Sequence, residues 1–243
     1  MPNLMPHVMT QVMPMDMIVA ESRGALAARL AAEVAGELRH ALDTHGRASL
    51  AVPGGTTPGP FLERLGAEPL PWERVTVTLS DERCVPADHP RSNYRLVAAT
   101  LLAGPARAAR LVPLYDPALP PEESLAVWSA ELARAVLPLD VCVLGMGDDL
   151  HTASLFPGAA GLAAALDPAG EHPLLPVRAP ADGERRITLT APCLRAAGHV
   201  HLLIQGTAKR EALDRALASR SVAEAPVRVV LDRPGRTTVW YAD

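Results

Sequence analysis

Apolar positions along the chain fall into two alternating rhythms: short unbroken runs and longer stripes at helical spacing. MDMIVA (15–20) predicts a short strand, and Ser22 is placed as the N-cap of an Ala-, Leu- and Arg-rich helix reaching about His45. ASLAVPGG (48–55) reads as a buried strand running into a turn, and TPGPFLERL (57–65) as a helix. The β-branched VTVTLS (75–80) predicts a strand. SNYRLVAATLLAG (92–104) returns to helix, stopped by Gly104-Pro105. PEESLAVWSAELARAVL (121–137) opens with proline and acids and keeps helical spacing. LDVCVLGMG (139–147), RITLT (186–190) and HVHLLIQG (199–206) predict strands, and TAKREALDRALAS (207–219) a helix. VRVVL (227–231) and TTVWYA (237–242) read as the closing strands, and 157–185 as loop-rich.

Strands alternating with helices predict an α/β fold, a mostly parallel, doubly wound sheet with helices on both faces. No repeat or long linker divides the body, so residues 15–243 read as a single domain. MPNLMPHVMTQVMPM has three prolines, no Lys or Arg and no continuous apolar core; residues 1–14 therefore read as a disordered leader, not a signal peptide. Ligands of such sheets sit at the carboxyl ends of the strands, which directs attention to the segments just after each strand.

Composition narrows the classes. With 243 residues, 23 Lys+Arg against 27 Asp+Glu and 49% hydrophobic residues, the chain is long enough to bury a core and too apolar for global disorder. A net charge of -4 and 3% aromatics argue against nucleic acid as a partner. No apolar run reaches the roughly 18–20 residues of a membrane span, so no membrane partner is expected. Cys84, Cys142 and Cys193 are odd in number and lack CxxC spacing, which favours a reducing cytoplasm over a disulfide scaffold or zinc ribbon. Of the 23 basic residues 22 are Arg, in a composition poor in residues with A/T-rich codons. Lys209 stands alone, and a lone ammonium among arginines suggests a position where a compact point charge matters.

Four post-strand segments carry candidate chemistry. Val52-Pro53-Gly54-Gly55-Thr56-Thr57-Pro58 joins a strand to a helix start; it is either a tight turn with a Thr cap or an anion-binding loop, and it lacks the GK[ST] of a Walker loop. Ser80-Asp81-Glu82-Arg83-Cys84 crowds two acids and an arginine at a strand end, followed by Asn93, the only asparagine of the body. By itself it reads as a solvated charged loop, with Cys84 a small hydrophobe. Gly145-Met146-Gly147-Asp148-Asp149-Leu150-His151 places a carboxylate two residues before a histidine, the minimal unit of a tuned general base. The remaining histidines show no metal-ligand spacing, so neither a metal nor another cofactor is expected. Arg186 opens RITLT, and Gly206-Thr207-Ala208-Lys209 puts the lone lysine in a first helical turn, against the helix dipole, which makes sense opposite an anionic ligand.

Taken in order, VPGGTTP, LSDERCVPADHPRSNYRL, LGMGDDLHTASLFPG, RITLTAPCL and GTAKREAL resemble the 6-phosphogluconolactonases, which share an α/β superfamily with glucosamine-6-phosphate isomerases and deaminases. The resemblance covers most of the body. It implies metal-free hydrolysis of 6-phosphogluconolactone to 6-phosphogluconate, with His151 as general base and Asp149 as its partner. It further implies that Gly54, Gly55, Thr56, Asp81, Arg83, Asn93, Arg186 and Lys209 surround the sugar phosphate. Where the family has Pro-Asp-Gly-His, this chain has Asp148-Asp149-Leu150-His151; a positive φ at that glycine would strain Leu150 by about 1–2 kcal/mol. Rival readings are an isomerase or amino-sugar deaminase on the same fold, which the resemblance equips with a Glu where this chain has Phe156, and a non-catalytic sugar-phosphate sensor. The expected partner is the small-molecule lactone, on a monomer or small homo-oligomer.

Overall fold

Ser22 sits in extended backbone and its hydroxyl accepts from the Ala25 amide, so α1 (Arg23–His45) starts at the expected cap. It ends at Gly46, whose φ of 72° is left-handed and whose N–H donates to Leu42. Leu26, Leu30, Val34 and Leu38 form its fully buried stripe, each side chain contributing roughly 1.5–3 kcal/mol on burial. The computed structural model describes residues 16–233 and 235–243, and the leader expected over 1–14 lies outside the described residues.

In chain order the strands are β1 (Asp16–Val19), β2 (Ala48–Val52), β3 (Val75–Leu79), β4 (Asp81–Arg83), β5 (Arg110–Leu111), β6 (Val141–Leu144), β7 (Leu174–Arg178), β8 (Arg185–Leu189), β9 (His199–Gln205) and β10 (Thr237–Ala242). The further helices are α2 (Gly59–Gly66), α3 (Asn93–Ala99), α4 (Pro121–Ala135), α5 (Leu162–Leu166), α6 (Ala191–Ala196), α7 (Thr207–Ala218) and α8 (Arg228–Leu231). Seven strands make a wholly parallel sheet in the order β1-β10-β9-β6-β2-β3-β5. Its central strands β2 and β6 are buried at every residue, as a covered parallel sheet requires.

The order places the site. From β2 the chain builds outward through β3 and β5, then returns to β6 on the other side of β2 and builds outward again through β9 and β10. The sheet thus switches direction between β2 and β6, and the crevice at their carboxyl ends is where an open α/β sheet takes its ligand. The Gly54-Gly55 loop leaves β2 there, and the Gly145–His151 loop leaves β6 there.

Three sequence expectations are corrected. VRVVL is helical in α8 and not a strand; an apolar run this short fits either a buried strand or a buried helical turn, and β10 already occupies the place beside β9. The helix expected over 92–104 breaks at Thr100, whose hydroxyl bonds back to the Leu96 carbonyl at 2.7 Å, and a 3-10 turn, Leu101–Ala103, follows. RITLT lies outside the main sheet: β8 is the centre of a three-stranded antiparallel sheet, β4-β8-β7. β3 feeds that small sheet through Ser80, whose N–H donates to Val52 and whose carbonyl accepts from Leu189, both at 2.9 Å. The loop-rich stretch supplies α5 and β7.

Candidate active site

The loop after β6 folds back on itself. Gly147 donates its N–H to the His151 carbonyl at 2.9 Å and accepts from the Leu150 amide at 3.0 Å, closing a three-residue loop. Its last residue, Leu150, has φ of 70°, at the position where such loops usually place glycine. The closure turns Asp149 and His151 towards each other, with Nδ1 of the imidazole 2.5 Å from Oδ1 of the carboxylate. An ionised carboxylate only accepts, so a neutral imidazole carries its proton on Nδ1 and presents Nε2 as a free acceptor. Burial pushes the Asp149 carboxyl up, but the hydrogen bonds and charge of His151 outweigh it and hold Asp149 below its ordinary value. Gly147 makes this contact possible, since a Cβ there would collide with both side chains of the pair.

His151 faces a cavity of about 360 Å³ at the switch point. Gly54, Gly55, Thr56, Asp81, Arg83, Asn93, Arg186 and Lys209 all line it, so the expected residues converge on one space. Asp149 does not line it and reaches it only through His151. Three cations, Arg83, Arg186 and Lys209, face one lining carboxylate, Asp81. Arg83 and Arg186 stand directly opposite each other across β4 and β8, a like-charge pairing offset in part by Glu184, 2.9 Å from Arg186, and Asp81, 3.9 Å from it. Nε of each is buried without a hydrogen-bond partner. The loop at the start of α2 and the start of α7 border the same cavity, and no side chain caps either helix.

Several of the expected ligand contacts have internal partners as well. Asp81 accepts from Ser80 at 3.0 Å and Ser154 at 2.5 Å, and its carboxylate lies 3.9 Å from Arg186. Asn93 donates to the Asp81 carbonyl at 2.8 Å, and its carboxamide lies so close to Gly54 that no side chain fits there. Lys209 forms an ion pair with Asp148 at 2.9 Å, on the same loop as the Asp149–His151 pair.

Sequence reasoning missed Glu82, Ser154 and the Lys209–Asp148 pair. Glu82 is buried and accepts from the amides of Arg83, Asn93 and Tyr94 and the hydroxyl of Ser92, anchoring the start of α3 and with it Asn93. Burial raises the Glu82 carboxyl above its ordinary value against the pull of those four donors. An acid between Asp81 and Arg83 in a near-continuous strand was the available signal, since a buried strand seldom carries an unpaired charge. Cys84, part-buried, has its thiol pushed up chiefly by burial, which fits a packing role. Among the described residues no group of three or more His, Cys, Asp or Glu could hold a metal ion.

The strain at Leu150 can be measured. Leu150→Ala and Leu150→Gly both lose the side chain beyond Cβ, but only the glycine relieves the left-handed backbone. The glycine variant should be the more stable by about 1 kcal/mol in denaturant unfolding. Equal stabilities, or a more stable alanine variant, would show that φ of 70° is unstrained here.

The chain matches, over residues 21–240, the family model described as "Glucosamine-6-phosphate isomerases/6-phosphogluconolactonase". It is 49% identical over 212 residues to 6-phosphogluconolactonase of Pseudomonas aeruginosa, covering 87% of this chain and 89% of the relative. It is 50% identical over 221 residues to 6-phosphogluconolactonase of Mesorhizobium japonicum, covering 90% and 92%. Its fold is similar to the crystal structure of a 6-phosphogluconolactonase from Shewanella baltica, with a TM-score of 0.89 at 32% identity over 94% of this chain and 98% of the other.

Proposed function

The chain belongs to the glucosamine-6-phosphate isomerase/6-phosphogluconolactonase family, and we propose that it hydrolyses 6-phospho-D-glucono-1,5-lactone to 6-phospho-D-gluconate, in the oxidative pentose phosphate pathway. The observation that carries this reading is the Asp149–His151 pair on the rim of a cavity lined by three cations. Those cations suit a phosphate ester, and the paired imidazole suits activation of water.

In this reading the phosphate lies against Lys209, Arg83 and the Gly54-Gly55-Thr56 loop, with Arg186 near the sugar. Backbone N–H groups and cations at helix starts favour such an anion. The lactone carbonyl then faces His151. Nε2 takes a proton from water as the water oxygen bonds to C1, and the carbonyl oxygen becomes an alkoxide stabilised by nearby N–H groups and cations. The alkoxide collapses, the C1–O5 bond breaks, and the imidazolium returns its proton to O5. A lactone is an activated ester, so no covalent nucleophile is required.

General-base help is typically worth about 10²–10⁴-fold, and orientation by the distant phosphate supplies a further share. An isomerase or deaminase would use a second acid five residues after His151; that position is Phe156, whose ring centroid lies 4.2 Å from that of the imidazole. A sensor would have no use for a paired Asp149–His151. The free thiols of Cys84, Cys142 and Cys193, the second buried and pushed up to about 12, support a reducing cytoplasm as the location.

The test is formation of 6-phosphogluconate from freshly generated lactone, corrected for spontaneous hydrolysis. A corrected rate well above zero is expected, and no excess over the spontaneous rate would reject the reading.

A further inference from the structure

We propose that Phe156 is a positioning residue for the hydrolysis, its ring holding the His151 imidazole against Asp149 and fixing Arg186 at a set distance from it. This rests on the lactonase reading above. Centroids of the His151 and Phe156 rings lie 4.2 Å apart, at an interplanar angle of 43°. The Arg186 guanidinium carbon stands 5.1 Å from the centroid of the same Phe156 ring. One phenyl ring therefore touches both the base and a cation of the substrate cavity.

A single hydrogen bond does not fix an imidazole. Asp149 holds Nδ1, but the ring can still swing about that contact unless a second surface blocks it. Phe156 supplies that surface. Behind it lies a second cavity of about 490 Å³, bordered by Asp149, Phe156, Arg186 and Asp182. Arg186 borders both cavities, whereas Phe156 lines only the outer one and meets the substrate space through His151 and Arg186. Without the ring, His151 gains room to turn away from the substrate, and water gains access to the space between His151 and Arg186.

The ring is itself well held. Phe156 is 7% exposed; its N–H donates to Ser154 at 3.2 Å and its carbonyl accepts from Ala159 at 3.1 Å. Ser154 in turn donates to Asp81, which ties the segment to the small sheet. Arg186 is steadied from its other side by Glu184 at 2.9 Å. During turnover His151 becomes an imidazolium near a permanent guanidinium. Contact of both with the one ring offsets part of that repulsion, because a ring quadrupole attracts cations within about 6 Å.

The test compares Phe156→Leu, which keeps an apolar side chain without the flat face, with Phe156→Tyr, which keeps the ring. Phe156→Met replaces the leucine variant if that one does not fold. Phe156→Leu should lower kcat about ten-fold, Phe156→Tyr should restore most of it, and melting temperatures should stay close to that of the parent. Combined with His151→Ala, the leucine change should cost less than about two-fold, because no base remains to be positioned. The same penalty in both backgrounds, or an unchanged kcat in Phe156→Leu, would overturn the proposal. Nitrogen-15 NMR of the His151 ring gives a second readout that needs no turnover: a single Nδ1–H tautomer is expected in the parent and in Phe156→Tyr, and averaging of the two tautomers in Phe156→Leu. If the parent itself does not hydrolyse the lactone, the lactonase reading fails while the NMR comparison still decides whether Phe156 orders His151. One tautomer in all three proteins would reject that role.

Discussion

His151→Ala should lower kcat by at least ~10²-fold and leave the fold intact, since general-base catalysis is typically worth that much. The fold should survive because the loop is closed by main-chain contacts that the imidazole does not make. Gly147 bonds to His151 through backbone atoms, the Val227 amide donates to the Leu150 carbonyl at 3.1 Å, and Arg215 donates to the Asp148 carbonyl at 2.8 Å. Asp149→Asn is the sharper variant. Its carboxamide can donate to Nδ1, which moves the ring proton to Nε2 and removes the base without removing the histidine. A comparable loss in kcat is therefore expected, with KM little changed. Near-normal turnover in a folded His151→Ala protein would take His151 out of the mechanism. Near-normal turnover in Asp149→Asn alone would leave His151 as base but show that the tautomer is set elsewhere.

Much of this arrangement was legible in the sequence because the chemistry lies in strand-to-helix turns, whose short-range signals are strong. The β2 and β6 runs are apolar at every position but Ser49, so their ends, and the glycines after them, could be placed from the pattern. What the sequence could not show is where RITLT pairs. Its register opposite Asp81–Arg83 is a long-range event, and that register alone sets Arg83 across from Arg186. The helical turn at Arg228–Leu231 escaped for a related reason: four apolar residues carry too little periodicity to separate strand from helix. Nothing in the sequence singled out Asp148 beside Asp149; only the approach of α7 makes it the partner of Lys209. The leucine in the left-handed position was legible as a departure from its relatives, and the loop keeps the backbone that glycine would have adopted.

Lys209 should be the residue whose loss most weakens recognition of the phosphate. Its Nζ pairs with Asp148 at 2.9 Å, but the Asp148 side chain is 69% exposed, and exposed ion pairs contribute little. A phosphate with more negative charge, approaching between Lys209 and the Gly54-Gly55-Thr56 loop, should displace that carboxylate as the ammonium's partner. Lys209→Ala then removes a charge-assisted hydrogen bond of ~1.5–3 kcal/mol, a fall in kcat/KM of roughly 10- to 150-fold. Lys209→Arg keeps the charge but brings a broad planar head to the site of a compact ammonium. In a protein with 22 arginines and one lysine the exchange would be silent at an ordinary surface position. A loss smaller than that of Lys209→Ala is expected here. Two controls separate recognition from loop support. On a gluconolactone lacking the phosphate, both penalties should shrink towards nothing, because that substrate never used the contact. Asp148→Ala should leave kcat/KM near the parent value or raise it, because it frees the ammonium. Equal penalties on the two lactones would reject the phosphate role, and an Asp148→Ala loss matching that of Lys209→Ala would instead assign Lys209 to holding the catalytic loop.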